Sequence, residues 1–265
     1  MSQPSCRQVF DTLPILAGAH AGLLLASHYR GKRENSDPEA KAQILDAARR
    51  AVQRTQPLYQ LAFDRWERGT PVAPERRILH FQTTGRVLCG LGNKGVLESG
   101  IRLHHTYGVP FLPGSSLKGI CAHYCAEVWG EDHRFAEKGD VFGTLFGTTK
   151  QAGFLQFHDG WLLPEECSSN RGGLLRDVIT PHHTEYYRTT KVAPQPFDDP
   201  NPISLLSVAG KFRIALEIDA DPSDTSTQEA LTLGAALLEQ ALVNWGIGAK
   251  TSSGYGRMKL VNHKE

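Results

Sequence analysis

Apolar residues recur at three- and four-residue steps in some stretches of the chain and alternate with polar ones in others. Leu231, Ala235, Leu238, Leu242 and Trp245 predict a helix over residues 227–245. Ala40, Ile44, Ala47, Ala48 and Ala51 hold one apolar face behind Ser36-Asp37-Pro38-Glu39, while Lys41, Arg49, Arg50 and Arg54 lie elsewhere on the surface. A capping side chain followed by Pro at the first helical position is the start signal of that helix. Residues 12–30, rich in Ala and Leu, carry helical character toward the N-terminus. A further periodic face, Leu117, Ile120, Cys121, Tyr124, Cys125 and Val128, follows Pro113-Gly114-Ser115-Ser116 and predicts a helix to about Trp129.

Between the helices the period shortens. Residues 78–88 alternate in part, through Leu79, Phe81 and Thr83, and read as a strand. Residues 96–103 suggest a second short strand or a hairpin arm. Residues 153–163 are strand-like, 203–218 form one long strand or a hairpin, and 256–261 close the chain with a strand. Gly69-Thr70-Pro71-Val72-Ala73-Pro74 separates a helical region, 1–74, that packs on the core from the mixed region, 75–265. The mixed region runs strand, helix, strand, strand, helix, strand. That is an α+β, ferredoxin-like βαββαβ arrangement with two helices on one face of an antiparallel sheet. Its open face is a common RNA-binding platform. Residues 168–202, rich in Pro, Asp and Asn, form a loop well beyond the ~12–15 residues of ordinary connections, which suggests a functional role.

Composition narrows the partners. With 40% hydrophobic and 22% charged residues the chain is an ordinary globular one. Its 29 Lys+Arg against 28 Asp+Glu give a formal charge of +1, so nucleic-acid affinity has to come from local patches rather than a global field. The run at residues 15–26 is broken by glycines and His20 and is too short to span a bilayer. The residues before it lack signal-peptide character. No membrane association is expected. Five scattered cysteines, Cys6, Cys89, Cys121, Cys125 and Cys167, argue against a disulfide framework and for a cytoplasmic location.

Gly246-Ile-Gly-Ala-Lys-Thr-Ser-Ser-Gly-Tyr-Gly-Arg257 carries the most chemistry. A Walker loop needs Gly directly before Lys-Ser/Thr and lies between a strand and a helix. Here Ala249 intervenes, and the stretch follows a helix and precedes a strand. Both the spacing and the order argue against ATP binding by this loop. A turn needs one or two glycines at positive φ, whereas dense glycine lets a loop lie flat on a sugar-phosphate backbone. In that contact-loop alternative Gly248 gives close approach, Lys250, Thr251, Ser252, Ser253 and Arg257 supply donors, and Tyr255 offers a stacking face. Composition leaves turn and contact loop both open.

Ser115 or Ser116 reads as the N-cap of the middle helix, and Lys118 in its first turn opposes the helix dipole. Free amides, two hydroxyls and a Lys suit phosphate, though a well-capped helix is the plain alternative. Just upstream, His104 and His105 are loop residues or RNA contacts. In the alternative of a metal-independent endoribonuclease one of them acts as general base, with Lys118 steadying charge. Cys121 and Cys125 share a helical face from which His123 points away, so they are read as core residues, with no metal and no cofactor expected. Residues 177–188, with His182, His183 and several aromatics, suit nucleic-acid or partner contact, or packing on their own sheet.

Five motifs in order resemble the RAMP proteins of CRISPR systems. They are PFLPGSSLKG, LFGT with AGFLQFHDGWLLP, DVITPHHTEYY, PNPISLLSVAGKFRIAL and GIGAKTSSGYGR. More narrowly, from about residue 77 onward, the chain is similar to the sixth-subunit family of the type III-B (Cmr) effector. The resemblance implies a ferredoxin-like fold with the glycine-rich loop between the last helix and the last strand. It also implies a non-catalytic subunit that caps the guide-RNA 3′ end. Guide RNA, target RNA, other RAMP subunits and small subunits are its implied partners. Its phosphate-facing roles fall on Ser115, Ser116 and Lys118, and on Lys250, Thr251 and Ser252.

Overall fold

The computed structural model describes residues 20–29, 37–93, 97, 99–180 and 202–262. A short helix α1 (Ala21–Ser27) precedes the 32-residue α2 (Pro38–Gly69). Asp37 accepts hydrogen bonds from the amides of Glu39 and Ala40 and Pro38 follows it, so α2 begins where its capping chemistry predicts. Next come β1 (Arg76–Thr83), β2 (Phe111–Leu112) and α3 (Gly114–Tyr124), which runs into a π-helical turn, Cys125–Trp129. Then follow α4 (Asp140–Phe146), β3 (Leu155–Phe157), β4 (Gly160–Leu162) and a 3₁₀ turn, Pro164–Cys167. β5 (Gly173–Ile179), β6 (Ile203–Ala209), β7 (Lys211–Ile218), α5 (Thr225–Asn244) and β8 (Met258–Val261) complete the chain. No described helix is long and apolar enough to cross a membrane.

The main sheet is ordered β2-β4-β7-β1-β8, with β3 also on β7, and all its pairings are antiparallel. β5 and β6 form a separate two-stranded sheet. On β7, Phe212, Ile214, Leu216 and Ile218 are buried. This is the face against α5, since a Cβ on Gly234 of that helix would come within 2.7 Å of Leu155 and 3.2 Å of Leu216. Leu231, Leu237, Leu238 and Leu242 of α5 are fully buried and complete this layer.

β3 and β4 are one strand interrupted by a bulge. Phe157 lies opposite Leu216 and Trp161 opposite Arg213, so four steps on one side meet three on the other. The extra residue reverses the parity of the strand. Leu155 and Phe157 face α5, whereas Trp161 is turned to the opposite face. There its indole lies parallel to Tyr59 at 5.7 Å and to Trp66 at 5.0 Å, with Phe63 edge-on at 6.3 Å. Tyr59 also donates to the Leu162 carbonyl at 2.8 Å. The C-terminal half of α2 thus covers part of the sheet face that the strand order alone would leave open.

Several expectations are corrected. The strand expected over 78–88 stops at Thr83, because residues 84–88 pair instead with the glycine-rich loop and with Val208. Residues 203–218 are neither one strand nor a paired hairpin. Gly210, at φ 139°, lets β6 leave the main sheet and join β5. Part of the expected loop 168–202 is the strand β5, whose pairing with β6 and whose Leu174 carbonyl contact to Arg49 of α2 are long-range. Residues 96–103 hold no strand among the described residues, only a bridge from Leu103 to Pro110. Residues 181–201, with His182 and His183, and residues 1–19 and 30–36 lie outside the described residues.

Candidate nucleic-acid interface

The glycine-rich loop is built by backbone hydrogen bonds to the segment that follows β1. Ala249 N–H donates to the Leu88 carbonyl at 2.8 Å, and Gly256 N–H to that of Arg86 at 2.7 Å. Ile247 N–H closes the loop on the Gly256 carbonyl at 2.9 Å. All four glycines, 246, 248, 254 and 256, have φ between 81° and 94°. At three of them a Cβ would strike backbone: that of Gly246 against Gly256, that of Gly248 against Leu88 and that of Gly256 against Ile247. The count of glycines that suggested a flat contact loop is therefore explained first by the turn itself. Only the Gly254 Cβ would stand in open space.

What the turn holds up is Lys250. It is the one described non-glycine residue at positive φ, 61°, and it precedes a 3₁₀ turn, Thr251–Ser253. Its carbonyl accepts from the amides of Ser253 and Tyr255, at 3.0 and 3.3 Å. Lys250, Ser252 and Arg257 are exposed. None of their side chains has a hydrogen bond or ion pair among the described residues. The hydroxyl of Tyr255 donates to Asp177 at 3.2 Å, and burial together with that carboxylate raises its pKa. Arg86 lies 3.8 Å from the same carboxylate and donates to the Arg176 carbonyl and the Ser207 hydroxyl. The loop is thereby tied to the β5–β6 sheet.

The start of α3 differs from expectation. Its N-cap is Pro113, not Ser115 or Ser116, and both serines are exposed in the first turn. The Gly114 amide donates to the Asp159 carboxylate at 2.7 Å. The bulge between β3 and β4 carries Asp159 there, and Gly114 packs so close to the Phe157 carbonyl that a Cβ would collide with it. A built-in carboxylate thus takes one of the amides expected to await a phosphate. Lys118 is half-buried, with no ion pair among the described residues.

His104 sits between Tyr107, Phe111 and Trp161, at 4.8, 5.8 and 5.4 Å between ring centres. Its Nδ1 accepts from the Thr106 amide at 3.2 Å. Burial lowers its pKa, opposed by the nearby Asp159. His105 is exposed. Neither histidine hydrogen-bonds Lys118. The expected site residues therefore fall into two clusters, one around Asp159 with the start of α3 and His104, the other around the glycine-rich loop. Arg86, Asp159 and Asp177 as organisers of these clusters were not readable from sequence, because each acts across long chain separations. Cys121 and Cys125 are buried on α3 and at its π-turn, and burial pushes Cys125 up to about 11. No cluster of metal-ligating side chains occurs among the described residues.

A profile of the RAMP superfamily matches residues 80–259, and the chain belongs to that superfamily. Within it, this is a Cmr6-like protein. It is 30% identical to the CRISPR system Cmr subunit Cmr6 of Pyrococcus furiosus, over 67% of this chain and 66% of that protein. It is 26% identical to the corresponding Saccharolobus solfataricus subunit, over 69% of this chain and 58% of that one. The chain thus spans less than two thirds of either relative. A chain of the type III-B Cmr-beta complex bound to cognate target RNA, seen by cryo-EM, has a similar fold. Its TM-score is 0.54 at 16% identity, covering 97% of this chain and 88% of that one.

Proposed function

We propose that this chain is a non-catalytic RNA-binding subunit of a type III-B CRISPR effector. In this reading it works in the cytoplasm in antiviral defence and caps the guide-RNA 3′ end. Guide RNA, target RNA, other RAMP subunits and small subunits are its partners. The carrying observation is Lys250, held in a left-handed conformation at the exposed tip of a loop stapled to residues 86–88. A cation on a rigid perch meets a phosphate without first losing backbone freedom. The strand order β8-β1-β7-β3/β4, with α3 and α5 between the strands in sequence, supports a ferredoxin-like reading of the core. The aromatic packing of His104 supports a structural rather than a catalytic role for it.

The test is co-purification of the tagged chain with guide RNA and sibling subunits, with and without Lys118→Ala and Lys250→Ala together. Retention of guide RNA should drop while the melting temperature holds. Unchanged RNA and unchanged assembly would remove the phosphate role from both lysines. Incubating the purified chain with repeat RNA in EDTA tests the catalytic alternative. Specific cleavage that disappears in His104→Ala or His105→Ala would make the chain an endoribonuclease.

A further inference from the structure

Among the described residues, α2 meets the far face of the sheet at Trp161, Leu162 and Arg213. Beyond them a cavity of about 450 Å³ opens, lined by Gln82, Thr83, Thr84, Lys211, Lys259 and Val261. Strand register explains its chemistry. Gln82 of β1 lies opposite Lys211 of β7 on one side and Lys259 of β8 on the other, so the three stand in one cross-strand row. Neighbouring strands are about 4.8 Å apart, which sets the two lysine backbones about 10 Å from each other. Neither lysine forms an ion pair among the described residues. The Glu166 carboxylate acts on Lys211 both through the backbone amide and through the charge of the ammonium, without forming an ion pair with it. Burial raises the Glu166 pKa, and Lys211 opposes that shift.

A lysine on an edge strand has a plain explanation, since it discourages pairing with another chain. That accounts for Lys259 on β8. It does not account for Lys211, because β7 is interior to the sheet, between β4 and β1. Arg257 continues the basic run. Its carbonyl accepts from the Thr84 amide at 3.0 Å, two residues further along the same pair of strands, and its side chain is exposed. The row is thus continuous with the end of the glycine-rich loop. The lining holds two ammonium groups and an amide and no aromatic ring, while the Thr84 hydroxyl already donates to the Arg257 carbonyl and the Thr83 hydroxyl accepts from the Gly210 amide. Such a set suits phosphodiester oxygens and offers no surface on which bases stack.

We propose that this end of the sheet, centred on Lys211, Gln82 and Lys259, is a second contact for the backbone of single-stranded RNA. It rests on the reading of the chain as an RNA-binding subunit but not on the role of the loop. Recognition here is independent of base sequence, and each lysine neutralises one phosphate.

Fluorescence anisotropy of the full chain with a labelled single-stranded oligoribonucleotide, across a salt series, tests it. Lys211→Gln with Lys259→Gln should reduce the slope of log K against log[salt] by about 1.4 in magnitude, from ~0.7 per phosphate. At 0.1 M salt that corresponds to a loss of about 25-fold, for an unchanged 1 M intercept. Lys211→Arg with Lys259→Arg should restore the slope, which a merely misfolded variant would not do. Lys250→Gln, measured in parallel, separates the two readings. If Lys250→Gln leaves binding intact while the paired glutamines weaken it, the loop reading fails and this one stands. An unchanged slope in the paired glutamine variant overturns this inference, and loss of a sibling subunit with RNA affinity intact would assign the row to an acidic protein surface instead.

Discussion

The guanidinium of Arg213 donates to both oxygens of Thr70, at 2.7 Å to the hydroxyl and 2.6 Å to the carbonyl. Thr70 is the C-cap of α2, so a cation from β7 sits at the negative end of a 32-residue helix. The ring of Trp66 lies 4.7 Å from the guanidinium carbon and Glu67 lies 3.4 Å from its Nε. Burial lowers the Arg213 pKa, with Glu67 opposing, yet an arginine stays charged. One side chain thereby fixes the long helix to the sheet. Arg213→Gln should destabilise the protein by about 1–3 kcal/mol, the cost of leaving the buried Thr70 acceptors without a charged donor. Urea unfolding, read at constant m-value, checks this.

Within the glycine-rich loop the four glycines differ in what they tolerate. Gly254→Ala meets no atom and should cost about 1–2 kcal/mol, the strain of a left-handed alanine. Gly256→Ala carries the same strain and also drives a methyl into the Ile247 carbonyl, so its cost should be clearly larger. Equal melting temperatures for the two variants would show that the loop is not held as described.

Asp159 joins the start of α3 to the His104 loop. Asp159→Asn removes the charge that favours protonated His104, so the already lowered histidine pKa should fall further. Asp159→Ala also removes the acceptor for the Gly114 amide and should cost about 1 kcal/mol of stability, as for loss of a helix cap. NMR titration of the His104 ring reads the first effect, and thermal melting the second.

Glu217 accepts from Arg76 Nε and Nη2, at 2.9 and 2.7 Å, and lies 3.1 Å from His158 Nε2. Burial raises its pKa, but these hydrogen bonds and charges outweigh it and hold the carboxyl below its ordinary value. The stabilisation from this pairing is therefore complete above the unfolded value of about 4.3 and is lost as pH falls through the lower folded value. Glu217→Gln should lower stability at neutral pH and flatten the acid limb of the stability profile. An acid limb unchanged by the substitution would place the pH dependence elsewhere.

The elements set by local chemistry were legible in the sequence. Asp37 and Pro38 announced the start of α2, the apolar steps from Leu231 to Trp245 marked α5, and the glycine spacing placed the loop between α5 and β8. These follow from capping, periodicity and backbone freedom, which act within a few residues. The tertiary structure decided what depends on distant partners. A one-residue bulge sends Trp161 to the face opposite Phe157, where α2 covers it. Asp159 rather than a serine meets the start of α3. Lys211, Gln82 and Lys259 form a row only because β7, β1 and β8 pair in that register. Each of these is fixed by the pairing of strands far apart in the chain, which single-stretch patterns do not carry.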